Sequence, residues 1–501
     1  MKKSNLLTGT LILTFAGFLT RIIGFFYKIY LSNTLSAKDL GLYQLVFPIY
    51  GICFTLYASG IQTAISQMSA NLSDKRRVLY TGMFCSISIA SLLSGLVYFN
   101  ADFIAHTIIL EADCTNSLRI LSCVFPFCAI TACINGYYYG LKKTAVPALS
   151  QLLEQLIRVI SVYTLSILIG NGNIKVTCEL AVFGVVLGEI AADLFSIFSL
   201  FFEQHNKIIT SSRLRSTKNI LKRLFVLALP LTATRLIISL LNNGESILIP
   251  YTLKAHGLSS TEALGLYGVL HGMAIPFILF PSTITNSLAV LLLPTIAEAQ
   301  SVGKSSRIQQ LGSITVKYSL IVGLLSTCIF LIFGNTLGSI FFHNSAAGSF
   351  MVILSWLCPF LYLSTTLSSI INGLGQTQVT FFNTIIGLFL RITFLFLLVP
   401  KQGITGYLIG LLVSQLVISL LDFQAVNRSF PLRFDSVSWL LKPSISLVFL
   451  GFLTQKSYLY FSALPGVCIP FVLFLCCFFL CLSYLAFLYI LDVICPSDFH
   501  F

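Results

Sequence analysis

Four arginines lie inside long apolar stretches of this chain, where little water can reach them: Arg21, Arg158, Arg235 and Arg391. A guanidinium is planar, permanently charged and forked, which suits it to phosphate or carboxylate. The acids in comparable surroundings are Glu154, Glu189, Asp193 and Glu245, with Asp422 nearer the end of its stretch. Glu154 precedes Arg158 by four residues, so the two share a helical face in the order that favours pairing. Glu189 and Asp193 also stand four apart but carry one sign. They repel unless an arginine, a proton or a metal ion comes between them. Arg158 is one candidate for that place, and a coupling ion, Na+ or H+, is another. Arg21 and Arg235 have no acid one turn away; Glu245 is ten residues beyond Arg235. Each is suited to capturing phosphate from a cavity, or else pairs across helices or reaches for an interface.

Two stretches add polarity without charge. Thr55, Ser59, Gln62, Thr63, Ser66 and Gln67 mark one, and Ser282, Thr283, Thr285, Asn286 and Ser287 the other. Ser59, Thr63 and Ser66 form a single helical stripe. Such hydroxyls either pack helices closely or line a wetted path. We therefore take Arg21, Arg235, Ser59, Gln62, Thr63 and Asn286 as cavity residues. Glu154, Arg158, Glu189, Asp193, Glu245 and Arg391 form the expected coupling or gating network. Gly24, Pro48, Pro230 and Pro276 are the expected hinges, although glycines such as Gly24, Gly60, Gly136 and Gly140 equally suit close packing.

No enzyme chemistry is legible. Gly303-Lys304-Ser305 echoes a phosphate loop, but Glu298 stands where its first glycine belongs, so no nucleotide is expected. The six histidines are scattered, and no cysteine pair has zinc spacing. We expect no catalytic residue, no metal centre and no resident cofactor. The fourteen cysteines read as small buried hydrophobes.

The elements that must carry these residues are membrane helices. Hydrophobic residues make up 56% of the 501, charged ones 9%, and the mean hydropathy is +0.92. Fourteen apolar runs are each long enough to cross a bilayer: 6–30, 41–69, 79–100, 117–141, 149–170, 178–202, 221–249, 264–297, 311–334, 349–374, 378–400, 403–424, 438–455 and 464–492. The net charge of +13 is a topology signal rather than a nucleic-acid one. Nineteen of the 30 lysines and arginines fall at the N-terminus and in alternate connections, among them Lys75-Arg76-Arg77 and Lys142-Lys143. Loops rich in Lys and Arg stay cytoplasmic, so a multi-pass protein of the cell membrane with both termini inside is expected.

The chain also repeats itself. Thr20-Arg21 recurs as Thr234-Arg235, 214 residues later, and Gly41-Leu42-Tyr43 as Gly265-Leu266-Tyr267. Pro126 and Arg158 recur as Pro359 and Arg391 at one shift of 233, while Ile134-Asn135-Gly136 recurs as Ile371-Asn372-Gly373, offset by four more. Two similar halves are the usual plan of a secondary transporter. The expected fold is an all-α polytopic membrane protein of about 14 helices. Two pseudo-symmetric six-helix lobes, 1–205 and 221–425, surround a central cavity; a basic linker covers 206–220, and two further helices cover 426–501.

Thr20-Arg21-Ile22-Ile23-Gly24-Phe25, the stretch Gly41 to Gly51 around Pro48, Gly60-Ile61-Gln62-Thr63-Ala64-Ile65-Ser66, and Pro147 to Arg158 together resemble the stage V sporulation protein B family. That family lies in the polysaccharide-transporter branch of the MOP superfamily, with the lipid II flippases. The resemblance implies alternating access and an undecaprenyl-pyrophosphate-linked saccharide as cargo, such as lipid II for spore cortex. It gives Arg21 a cavity role. The chain departs from the flippase pattern at Tyr27-Lys28 and Phe54-Thr55, where those proteins carry further arginines. Partners implied are the lipid-linked glycan, bilayer lipids and cell-wall synthesis enzymes. Rival readings are a multidrug or cation antiporter on the same fold, a membrane-embedded transferase, and a structural role in a sporulation complex.

Overall fold

The computed structural model describes residues 3–71, 74–170, 176–205, 217–432 and 434–495, with side chains over 15–70, 74–170, 176–202, 217–432 and 434–495. Most of the basic linker (206–216), Lys2, Lys175, Arg433 and His500 lie outside the described residues. Among the described residues there is no strand.

Every apolar run carries a helix. We number them α1 (Lys3–Thr34), α2 (Ala37–Ala70), α3 (Lys75–Phe99), α4 (Ala112–Ser122 and Phe125–Gly140, bent by 47°), α5 (Ala145–Ile169), α6 (Cys178–His205) and α7 (Thr217–Ala255). There follow α8 (Ser260–Leu279, continued as Ser282–Ser301), α9 (Ser305–Phe342), α10 (Ser345–Gly373), α11 (Thr377–Gln402), α12 (Ile404–Ser429), α13 (Val437–Ser462) and α14 (Ile469–Ile490). Twelve of these are long and apolar enough to cross a membrane among the described residues, and the bent α4 brings the number to 13. The chain is a multi-pass membrane protein.

Local chemistry sets the ends. Ser36 caps α2, accepting from the Asp39 N–H at 3.1 Å, and Ser259 with Glu262 forms a reciprocal capping box on α8. Pro126 and Pro359 occupy first turns, where a missing N–H leaves no bond unmade. Gly403, at φ +59, alone joins α11 to α12. Two helices change pitch midway: Thr55–Ser59 in α2 and Val269–Ala274 in α8 are π-helical. Such turns free backbone groups from the regular ladder and recur at functional sites.

The chain forms two compact units, 1–272 and 273–501. In the first, Ile61, Ile65 and Met68 of α2 pack with Val78 and Leu79 of α3, Ile134 and Tyr138 of α4, and Leu224 of α7. Small residues let backbones touch: a Cβ on Gly136 would stand 2.5 Å from the Gln62 carbonyl, and one on Gly140 2.5 Å from that of Ser66. In the second, Leu292, Ile296, Leu311, Leu367, Ile370 and Trp439 form the core. There Lys317 of α9 and Lys442 of α13 donate to the carbonyls of Val493 and Leu491, at 2.8 and 2.9 Å, just beyond α14. Cations at a helix C-terminus satisfy carbonyls that the helix leaves free.

Helix limits also locate the repeat. α10's Cys358–Gly373 segment matches α4's Phe125–Gly140 at the shift of 233. Gly136 thus sits four residues before its helix ends, while Gly373 closes its own. All fourteen cysteines are free thiols, half of them buried.

Candidate functional site

Arg235 reaches from α7 to the π-turn of α2. Its Nη1 donates to the Ser59 carbonyl at 2.6 Å, to Ser59 Oγ at 2.8 Å and to Thr63 Oγ1 at 3.1 Å. Gly60 makes the approach feasible, because a Cβ there would lie 2.0 Å from Thr232 Oγ1 and 2.8 Å from the Ala228 carbonyl. One end of the seam is closed by Ser239 Oγ, which donates to the Gly51 carbonyl at 3.3 Å. Three of the expected cavity residues therefore meet: Arg235, Ser59 and Thr63. Its other guanidinium donors have no partner among the described residues, and the side chain stays exposed.

Arg21 is exposed on α1 and makes no hydrogen bond or ion pair among the described residues. One turn on, Gly24 is a close-packing point: its Cβ would lie 2.9 Å from Gln155 Nε2 of α5. Gln62 is half-buried, with its carbonyl under Gly136. Pro230 lies inside the unbroken α7, Pro48 inside α2 ahead of its π-turn, and Pro276 just after the π-turn of α8. Asn286 belongs to the second unit, where Nδ2 donates to Ser282 Oγ at 3.2 Å.

Part of the charged set is brought together within the first unit. Arg158 pairs with Glu154 on α5. Gly184 and Gly188 let α6 press on that pair; a Cβ on Gly188 would stand 2.7 Å from the Glu154 carbonyl. Glu189 lies against Cys128 of α4 and within electrostatic reach of Glu154, Arg158 and Asp193. Tyr50 of α2 meets the same Cys128 sulfur at 3.3 Å. Arg158 also faces Tyr27 and Tyr43. It forms no ion pair with Glu189 or Asp193 among the described residues, so the two like charges keep no arginine between them. Glu245 is buried near Tyr267 of α8 rather than with Arg235. Arg391 is half-buried in the second unit and is engaged.

Two features escaped the sequence reading. Asp422, 1% exposed, accepts from Asn383 Nδ2 at 2.8 Å and from Ser368 Oγ at 3.0 Å, so its carboxyl is fully housed between α10, α11 and α12. The 233 shift gave a signal for it, since Asp422 stands where the first half has Glu189. The second feature is a set of ion pairs at the helix ends away from the basic connections. Glu111 pairs with Lys254 and accepts from Ser260 Oγ at 2.8 and 2.9 Å; Lys38 pairs with Asp113 at 2.6 Å and Arg119 with Asp102 at 2.7 Å. Nothing in their spacing signals this, because the partners lie up to 149 residues apart.

An exposed guanidinium on α1, and one on α7 held by a single nitrogen beside the polar stripe of α2, are chemically suited to an anion. Residues 6–300, more than half the chain, match the polysaccharide biosynthesis protein family. The chain belongs to that family. Among similar members, stage V sporulation protein B of Bacillus subtilis (strain 168) is 26% identical over 483 residues, covering 93% of this chain and 92% of that one. The lipid II flippase MurJ of the same organism is 20% identical over 454 residues, 85% and 83% of the two chains. A solved structure of lipid II flippase MurJ, in an inward closed conformation, superposes with a TM-score of 0.74 at 17% identity, over 96% of this chain and 98% of that one. This polysaccharide biosynthesis family member thus has the fold of that flippase.

Proposed function

We propose that the chain is an alternating-access flippase that moves an undecaprenyl-pyrophosphate-linked saccharide, a peptidoglycan precursor such as lipid II for spore cortex, across the cell membrane. The observation that carries this reading is the state of the two arginines. Arg21 is exposed without a partner, and Arg235 is held by one nitrogen only, so both offer free donors to a pyrophosphate. Guanidinium forks bind such oxygens bidentately, and the low local dielectric strengthens each contact. Ser59 and Thr63 orient Arg235, and Gln62 adds polarity on the same helix. An apolar cleft of about 790 Å³ between α13 and α14, lined by Leu453, Phe461, Phe471 and Phe479, suits a polyprenyl chain.

In this reading the basic connections and both termini are cytoplasmic. Glu154, Arg158, Glu189 and Asp193 couple the transition to an ion gradient, and Gly24, Pro48, Pro230 and Pro276 take up the bending. The test is translocation of lipid II by the purified protein in proteoliposomes. We expect protein-dependent flipping that Arg21→Ala removes. Liposomes in which MurJ flips lipid II and this chain does not would sink the assignment of that cargo.

A further inference from the structure

α7 has three faces, each told by its contacts. One is the seam with α2. There Gly60 meets Thr232 and the Ala228 carbonyl, Ser239 donates to the Gly51 carbonyl, and Asn243 Nδ2 donates to the Ser239 carbonyl at 2.7 Å and to its Oγ at 2.9 Å. The second face is apolar and bare: Ile237 and Leu240 are exposed, and a Cβ on Gly244 would meet nothing. At 3.6 residues per turn these three fall within about 60° of one another, on the side opposite Arg235. That side suits hydrocarbon.

The third face holds Arg235 and Asn242, both exposed. Seven residues separate them, so they point within about 20° of each other and stand about 10 Å apart along the axis. Asn242 makes no side-chain hydrogen bond among the described residues. Ser246, one turn further on, is committed: its Oγ donates to the Asn242 carbonyl at 3.1 Å and meets Tyr267 of α8. An idle carboxamide is costly against hydrocarbon, and this one is turned from the apolar face towards the side that Arg235 occupies.

We propose that Asn242 binds the sugar joined to the pyrophosphate, and so sets a preference for a glycosylated cargo over bare polyprenyl pyrophosphate. This deepens the flippase reading, and rests on it for placing the pyrophosphate at Arg235. A carboxamide offers an acceptor and two donors without charge. Neighbouring carbons of a sugar ring present the complement: a hydroxyl or acetamido N–H donates to Oδ1, and the oxygen on the next carbon accepts from Nδ2. A cation at this position would add only to the hold on phosphate, whereas a neutral amide reads the neutral ring. Ser59 and Thr63 fix one end of the span by holding Arg235 Nη1. Two turns of helix from there cover a pyrophosphate and the first ring. Asn243, next in sequence, is spent on the α2 seam and takes no part.

The test is equilibrium binding to the purified full chain of two probes, farnesyl pyrophosphate and farnesyl-pyrophosphoryl-N-acetylglucosamine. We expect wild type to bind the sugar-bearing probe about tenfold more tightly, the worth of two hydrogen bonds. Asn242→Ala should remove that preference and leave farnesyl pyrophosphate bound as before, whereas Arg235→Ala should weaken both probes. Should Asn242→Ala fail to fold, the near-isosteric Asn242→Leu decides. Three results would overturn the proposal: no preference in wild type, a preference unchanged in the Asn242 variants, or an equal loss of both probes in them. A preference that depends on Asn242, without translocation of any cargo, keeps the sugar contact and sinks the flippase reading. Lipid II translocation by a wild type that shows no preference does the reverse.

Discussion

Ser260 grips both carboxylate oxygens of Glu111, at 2.8 and 2.9 Å, across 149 residues of sequence. Lys254 pairs with the same carboxylate and also donates to the Leu110 carbonyl at 3.2 Å. Beside this clasp α2 and α8 meet backbone to backbone: a Cβ on Gly41 would lie 2.2 Å from the Leu264 carbonyl. The α2–α8 contact at this end of the bundle is therefore both tightly packed and latched. Glu111→Gln should weaken the latch by about 1–2 kcal/mol, roughly a tenfold shift towards opening. The measurement is the alkylation rate of Ser59→Cys, applied from the side of Glu111 in a background lacking Cys123 and Cys468. An unchanged rate would show that packing alone holds this end.

Gly60 is the point at which α7 comes nearest α2. Gly60→Ala places a methyl in contact with Thr232 Oγ1 and the Ala228 carbonyl, and should destabilise the fold by about 1–3 kcal/mol. Adding Thr232→Ala should restore only part of the loss, because the Ala228 backbone cannot yield. Thermal unfolding in detergent reads both effects.

Thr63 and Ser59 hold one nitrogen of Arg235. If they orient the guanidinium, Thr63→Val should slow lipid II translocation about threefold without unfolding the protein. Arg235→Lys keeps the charge but loses the fork, and should slow it at least tenfold. Equal rates for Arg235→Lys and wild type would mean that charge alone suffices.

Lys317 is buried at 9% exposure and donates to the Val493 carbonyl. Lys317→Met leaves that helix end uncapped on one side and should cost about 1–3 kcal/mol. The expected sign is earlier cleavage after α14 in limited proteolysis, with the cores of both compact units still protected.

Asp435 lies on the connection before α13 and accepts from Ser438 Oγ at 2.6 Å and from the Val437 and Ser438 N–H groups. Those bonds hold its carboxyl below the usual range. The Val437–Leu441 turn is therefore stabilised above a pH of about 4, the unfolded carboxyl value, and that support is lost as pH falls through the lower folded value. The protection factors of the Val437 and Ser438 amides, relative to the unstructured chain at the same pH, should fall there, and should not change with pH in Asp435→Asn.

The helices were legible because hydrocarbon imposes one rule: a chain crossing it must satisfy its own backbone, and apolar runs of about 20 residues do so as helices. The 233 shift was legible for the same reason, since Pro126 and Pro359 mark equivalent first turns. The Glu154–Arg158 pair followed from i,i+4 spacing, which one helix decides by itself. Glu245, ten residues beyond Arg235, is buried near Tyr267 and forms no ion pair with Arg235 among the described residues, because ten residues of helix separate the two along the axis.

What the amino-acid order determined by itself was local: which segments span, where they are capped, and which side chains share a face. Whether Arg235 would meet Ser59, whether Glu111 would be clasped by Ser260, and whether Asp193 would be left with an unused oxygen were decided by packing between helices far apart in sequence. In each case the deciding contacts lie across a helix–helix interface, Gly60 admitting one of them, and no spacing along a single helix encodes which faces will meet.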